Sequence, residues 1–151
     1  MRISTRGRYA LRAMVDLARH ADEGPVLRRD IAERQNISAD YVAQLFRELR
    51  AAELVNGVKG PGGGYTLARD PAAISAGDIV RAVEGSIAVT ECVAPGGDFD
   101  CCRIGECATR EVWQQVSQAV EEVLNEITLA DLRDKAQLQS TELVTQNKEA
   151  K

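Results

Sequence analysis

Four cysteines are the residues of this chain best suited to chemistry: Cys92, then Cys101, Cys102 and Cys107 within seven residues. The segment that carries them, Glu91 to Glu106, is rich in Gly, Pro and Asp and has no helix or strand period. A loop of this kind presents thiolates to a metal. Eight residues separate Cys92 from Cys101, five separate Cys101 from Cys107, and four separate Cys102 from Cys107. No CxxC pair occurs, which argues against a zinc ribbon and against a thioredoxin-like redox pair. The wide spacing suits an iron–sulfur cluster, whose ligands surround a larger object than one ion. Two alternatives stay open: zinc, and a metal-free thiol switch in which Cys101 or Cys102 pairs with Cys92. Adjacent side chains point apart in extended chain, so either one of Cys101 and Cys102 binds while the other stands by, or each reaches a different iron.

The rest of the chain must position this loop. Its 151 residues suffice for one domain with a core, or a small domain plus an extension. No apolar run approaches the roughly 18 residues of a membrane span, and the N-terminus lacks the apolar centre of a secretory signal. The expectation is a cytoplasmic protein with no membrane partner, where clustered cysteines bind metal or do redox chemistry more often than they form disulfides. The net charge of −4 is unevenly spread: residues 1–70 carry 12 Lys and Arg against 9 Asp and Glu, and residues 71–151 carry 7 against 14. A basic half joined to an acidic half fits a nucleic-acid module with a dimerisation or sensor part attached.

Residues Thr5 to about Ala21 read as a helix, with Ala10, Ala13, Met14, Leu17, Ala18 and Ala21 at helical spacing and Ser4 or Thr5 as its cap. After a turn at Asp22–Pro25 comes a short helix from Arg28 to about Arg34. Ser38 then caps a third helix, Ala39 to Ala52, with Val42, Leu45, Phe46 and Leu49 inward. Its other face shows Asp40, Tyr41, Gln44, Arg47 and Glu48. Two short helices joined by a tight turn make a helix-turn-helix. Two β-prone runs around Gly60-Pro61-Gly62-Gly63-Gly64 read as a hairpin wing. The fold class is therefore mostly α with a small β-hairpin: a winged helix-turn-helix domain at 1–85, which includes a helix from Ser75 to Glu84. A cysteine-rich, cluster-binding loop follows at 86–108.

In the winged helix, Gln44 matches adenine and Arg47 guanine in the major groove. Ser38 and Tyr41 lie at the end of the helix that meets bases. Ser4, Thr5, Arg28 and Arg29 suit phosphates, and Lys59 leads into a wing that can approach the minor groove. Asp40 on the same face repels phosphate, so it reads cytosine or discriminates against wrong sites. Beyond the loop, Thr109 to about Ile127 reads as the longest helix. Val112, Val116, Ala119, Val120, Val123, Leu124 and Ile127 form one continuous stripe. Little chain is left to cover it, so pairing with a second copy is the natural solution, and folding back on the winged helix is the alternative. Residues 109–136 are thus a dimerisation region, and 137–151 read as a polar, disordered tail. Trp113, beside the stripe, reads as core, and His20 as a helix-terminus histidine. No catalytic triad, nucleotide loop or carboxylate pair points to an enzyme.

Several of these residues resemble the Rrf-two (IscR/NsrR/RirA-like) family of iron–sulfur winged-helix transcriptional regulators. They are the opening Met-Arg-Ile-Ser-Thr-Arg-Gly-Arg-Tyr-Ala, Ile37-Ser38 with Tyr41 and Gln44-Leu45-Phe46, the run Gly60 to Tyr65, and the cysteine loop before a long helix with Trp113. The resemblance covers about residues 1–135. It implies a homodimeric regulator, a repressor of a roughly palindromic double-stranded DNA operator, with a [2Fe-2S] or [4Fe-4S] cluster whose state reports cluster supply, iron or redox conditions. A nitric-oxide-sensing repressor of the same build is the alternative. By position the ligands are Cys92, Cys101 or Cys102, and Cys107. Two departures stand out. IscR-like members place a histidine three residues after the last cysteine, where this chain has Arg110. NsrR-like members take a carboxylate from near the partner's N-terminus, where this chain offers Arg6, Arg8 and Arg12. Cys102 is the expected fourth ligand, with Asp98, Asp100 or Glu106 as substitutes.

Overall fold

The computed structural model describes residues 4–96 and 99–149. Among them, helix α1 spans Thr5–Arg19, α2 Arg28–Gln35 and α3 Ala39–Ala51. Strands β1, Val55–Val58, and β2, Gly64–Leu67, come next, followed by α4 at Ala76–Glu84, α5 at Arg110–Glu126 and α6 at Leu129–Glu149. The fold is the expected one, mostly helical with a single antiparallel hairpin.

Helix α1 is the centre. Ala10, Ala13, Met14 and Leu17 are fully buried, and the helix packs against α2, α3, α4 and α6. Ser4 caps it by accepting the Arg6 N–H at 3.0 Å. Asp16, 3% exposed, is the one buried charge among the described residues. It accepts from Arg34 Nε at 2.9 Å, Arg34 Nη2 at 2.7 Å and Gln35 Nε2 at 3.1 Å. A buried carboxylate is tolerated only when paired and hydrogen-bonded in this way, and the cluster fixes α2 on α1. His20 closes α1 with its Nδ1 2.8 Å from the Asp16 carbonyl, a structural role.

The turn between α2 and α3 uses Asn36 in the left-handed region at φ 54°, a conformation Asn tolerates better than most residues. Ser38 then caps α3 by accepting the Tyr41 N–H at 3.1 Å. Val42, Leu45, Phe46 and Leu49 turn into the core. The hairpin is tied to the body as well as to itself. Val26 and Tyr65 exchange N–H···O bonds of 2.9 and 2.8 Å, and the Tyr65 ring packs 4.4 Å from that of Phe46. Gly64 makes this possible: a Cβ there would lie 2.2 Å from the Val26 carbonyl oxygen.

A capping box at Ser75 and Asp78 starts α4. The same segment holds the chain after α5: Ala76 N–H bonds the Ile127 carbonyl and Leu129 N–H the Ile74 carbonyl, each at 2.8 Å. These bonds deliver Leu129 into the core, where it is fully buried. One expectation fails here. Residues 137–149 are not a disordered tail but continue α6, which at 21 residues exceeds the 17 of α5. The segment holds no Gly or Pro, and extending a started helix costs little per residue. Its start is capped by bonds between Thr128 and Asp131, and further along it packs on α1 with Arg19 bonding Ser140 at 3.0 Å.

Candidate nucleic-acid interface and cysteine loop

On the winged helix, Ser38, Asp40, Gln44 and Arg47 are exposed along α3. Tyr41 is less free than its position in the sequence implied. It is half-buried against the core, edge-on to Tyr9 with ring centroids 6.0 Å apart. Arg28 and Arg29 are exposed at the start of α2, with Arg29 Nε 3.5 Å from Asp30. Lys59 is exposed where β1 enters the hairpin tip. The start of α1 is already taken by an acid: Glu84 accepts from the Ser4 hydroxyl and, at 2.8 Å, from the Gly7 N–H. A phosphate at Ser4 would have to compete with that carboxylate, whereas Thr5 stays exposed. Arg6 beside it donates to Glu48 of α3.

Arg50 was not among the DNA contacts read from the sequence. It lies one turn beyond Arg47, exposed, and lines a cleft with Arg28 and Lys59. Its spacing of three from Arg47 was the available signal.

The cysteine loop hangs from α5 at both ends. Cys92 lies half-buried in a 3-10 turn, Glu91–Val93, with its Sγ 3.2 Å from Thr90 Oγ1. Arg110, in the first turn of α5, donates from Nε to the Cys92 carbonyl at 3.2 Å. The Val89 N–H reaches Ser117 Oγ of α5 at 3.0 Å. Cys107 sits at the other end, its carbonyl accepting the Arg110 N–H at 3.2 Å. Hydrogen bonds hold the Cys107 thiol below the ordinary thiol range: first the Thr109 hydroxyl, then the N–H groups of Arg110 and Thr109, with the Arg103 charge adding to them. Cys101 is half-buried in a turn closed by the Ile104 N–H at 3.0 Å, and Cys102 is exposed. All four are free thiols.

Among the described residues, no three Cys, His, Asp or Glu side chains gather closely enough to hold a metal ion. The expected four-cysteine ligand set is therefore present on one loop but not brought to one point. Asp100 and Glu106 are exposed, and Asp98 lies outside the described residues. The donor set itself fits an iron–sulfur cluster: thiols only, with Cys107 just before α5 and Cys92 tied to its first turn through Arg110.

Helix α5 leans on α4 through polar contacts. Arg81 donates to Glu121 at 3.0 Å and to Asn125 at 2.9 Å, and Asn125 fits over Gly77, where a Cβ would meet its Oδ1 at 2.2 Å. No residue of α5 is buried. Val112 is 52% and Val123 56% exposed, and Val116, Val120, Leu124 and Ile127 are partly covered. Trp113 is not core, as its sequence context suggested, but 41% exposed. No described helix is long and apolar enough to cross a membrane.

Comparison with known proteins agrees with this geometry. The model of the Rrf2 family, described as iron-dependent transcriptional regulators, matches residues 3–135. The HTH-type transcriptional regulator IscR of Yersinia enterocolitica is 45% identical over 133 residues, 87% of this chain and 79% of the relative. The structure of CymR, the global cysteine regulator of B. subtilis, superposes with a TM-score of 0.74 at 41% identity, covering 89% of this chain and 98% of CymR. The IscR of T. potens gives 0.72 at 45% identity, covering 90% and 88%.

Proposed function

The chain belongs to the Rrf2 family of DNA-binding transcriptional regulators, not enzymes, and from that premise we propose that it is a homodimeric repressor reporting the state of a cysteine-held iron–sulfur cluster. One observation carries this reading. The helix whose apolar stripe is only partly covered within the chain is the helix on which both ends of the cysteine loop are fixed. Loop state and subunit pairing are thereby joined in one element.

In this reading Cys92, Cys101 and Cys107 hold the cluster with Cys102 as the fourth ligand, and the bound group supplies a centre sensitive to oxidants and to iron supply. The chain's own residues do the rest. Arg110 holds the Cys92 backbone at the start of α5. Val112, Val116, Val120, Val123, Leu124 and Ile127 pair the subunits, which sets the spacing of two recognition helices. Gln44 and Arg47 meet base edges, and Ser38, Arg28, Arg29, Thr5 and Lys59 meet the backbone and the adjacent groove. A signal changes DNA affinity only by favouring one arrangement of the pair over the other.

Anaerobic purification followed by assay of iron, acid-labile sulfide and zinc, with the visible spectrum, tests the reading. Iron and sulfide in matched amounts are expected. Zinc alone, or no metal, would overturn it. Cys102→Ala should alter the spectrum or its persistence; an identical, equally durable spectrum removes Cys102 as a ligand.

A second reading has its own support. The cysteines stand apart in this fold, and the Cys107 thiol is depressed. A thiol-based regulator would use these groups without metal.

A further inference from the structure

The cleft between the start of α2, the end of α3 and the hairpin contains Arg28, Arg50 and Lys59 and no Asp or Glu. None of the three cations forms an ion pair among the described residues, although Arg6, Arg29, Arg34, Arg81 and Arg133 all do. Three unpaired cations in one concavity stand out in a chain whose net charge is −4. The cleft wall is equally particular. Gly57, Gly60, Gly63 and Gly64 leave hairpin backbone bare, and the Arg50 guanidinium lies over β1, with Nη1 3.4 Å from where a Gly57 Cβ would stand. Arg50 follows Gln44 by six residues on α3, a rise of about 9 Å. When the exposed N-terminal half of α3 lies in the major groove, this distance carries Arg50 out toward the strand that borders the groove.

We propose that Arg50, with Arg28 and Lys59, forms a seat for backbone phosphates of duplex DNA, and that Arg50 contributes affinity without reading sequence. The proposal rests on the DNA-binding reading of the winged helix and adds a contact to it. A planar guanidinium over bare backbone suits a phosphate, which accepts paired N–H bonds. A base-edge contact from this position is disfavoured because six residues turn Arg50 about 120° around α3 from the face that carries Gln44.

The test uses the full-length protein, with a duplex selected by the wild type from a random pool and a shuffled duplex of equal length. Fluorescence anisotropy is read across a salt series. For Arg50→Ala, affinity for both duplexes should fall by the same factor, and the slope of log affinity against log salt should flatten by roughly 0.9, one released counterion. Arg50→Lys should retain most of the slope, and a matching thermal melt shows that the fold is intact. Loss confined to the selected duplex would make Arg50 a base reader and overturn the proposal, as would unchanged binding to both. A wild type that binds neither duplex would sink the DNA-binding reading itself.

Discussion

Replacing Val112 and Val123 together by Ser tests whether α5 pairs the subunits. The two valines lie about three turns apart on one stripe, and each keeps about half of its surface in the single chain, 52% and 56%. Fully burying a valine is worth ~2 kcal/mol, so covering the remaining half contributes ~1 kcal/mol per side chain. In a two-fold pair every residue counts twice, so the double substitution should weaken the dimer by about 4 kcal/mol, roughly a thousandfold in dissociation constant. Sedimentation equilibrium over a wide concentration range reads this directly. Circular dichroism and a thermal melt at high dilution should change little, because neither side chain belongs to the core of the single chain. A dissociation constant unchanged within a few-fold would show that α5 does not form the interface. A collapse of the monomer's own melt would show that these valines pack within the chain.

Arg34→Ala leaves Asp16 buried without its main partner. Removing one member of a buried pair costs ~3–5 kcal/mol, and because the Arg34 side chain is 35% exposed the expected loss is nearer 2–3 kcal/mol after solvent screening, read by urea titration. Gly64→Ala should unseat the hairpin, since the added Cβ meets the Val26 carbonyl; DNA binding should fall sharply, whereas Gly62→Ala, with open space around it, should cost only ~1 kcal/mol from its left-handed φ. Asp78 has its carboxyl held below the ordinary 3.8: burial opposes this, but the Ser75 N–H and hydroxyl and the Arg81 guanidinium outweigh it. Its contribution to stability is therefore complete above the ordinary carboxylate pKa and is lost as pH falls through the lower folded value, so the melting gap between wild type and Asp78→Asn should close on acidification from pH 5 toward pH 3. In reduced, metal-free protein, Thr109→Ala should slow the reaction of Cys107 with iodoacetamide at a fixed neutral pH, because Thr109 contributes the largest bond to the thiolate; peptide mapping of Cys107 over time reads the rate.

Wherever structure is local, the sequence announced it. Ser38 capped the helix it precedes, the glycine run made the hairpin tip, and helical spacing identified the buried faces of α1 and α3. The failures have a common origin in contacts between distant elements. The polar segment 137–149 has weak amphipathicity, yet it is helical because Leu129 and Ser140 anchor it on the body. Trp113 fell beside an apolar stripe, but nothing in the periodicity said that it would stay 41% exposed or that Arg81 of α4 would bond Glu121 and Asn125 of α5. Ser4 looked like a phosphate donor until Glu84, 80 positions away, proved to occupy it. Arg6 joins Glu48 across 42 positions in the same way. These last two links meet at the start of α1. There one short stretch of backbone holds both the recognition helix and the end of α4, from which the cysteine loop departs. The four cysteines stood out as candidate ligands because thiol chemistry is a property of residue type. Their separation in the fold was not legible, because a Gly- and Pro-rich loop takes its shape from what it binds and from the few bonds that tie its ends to α5.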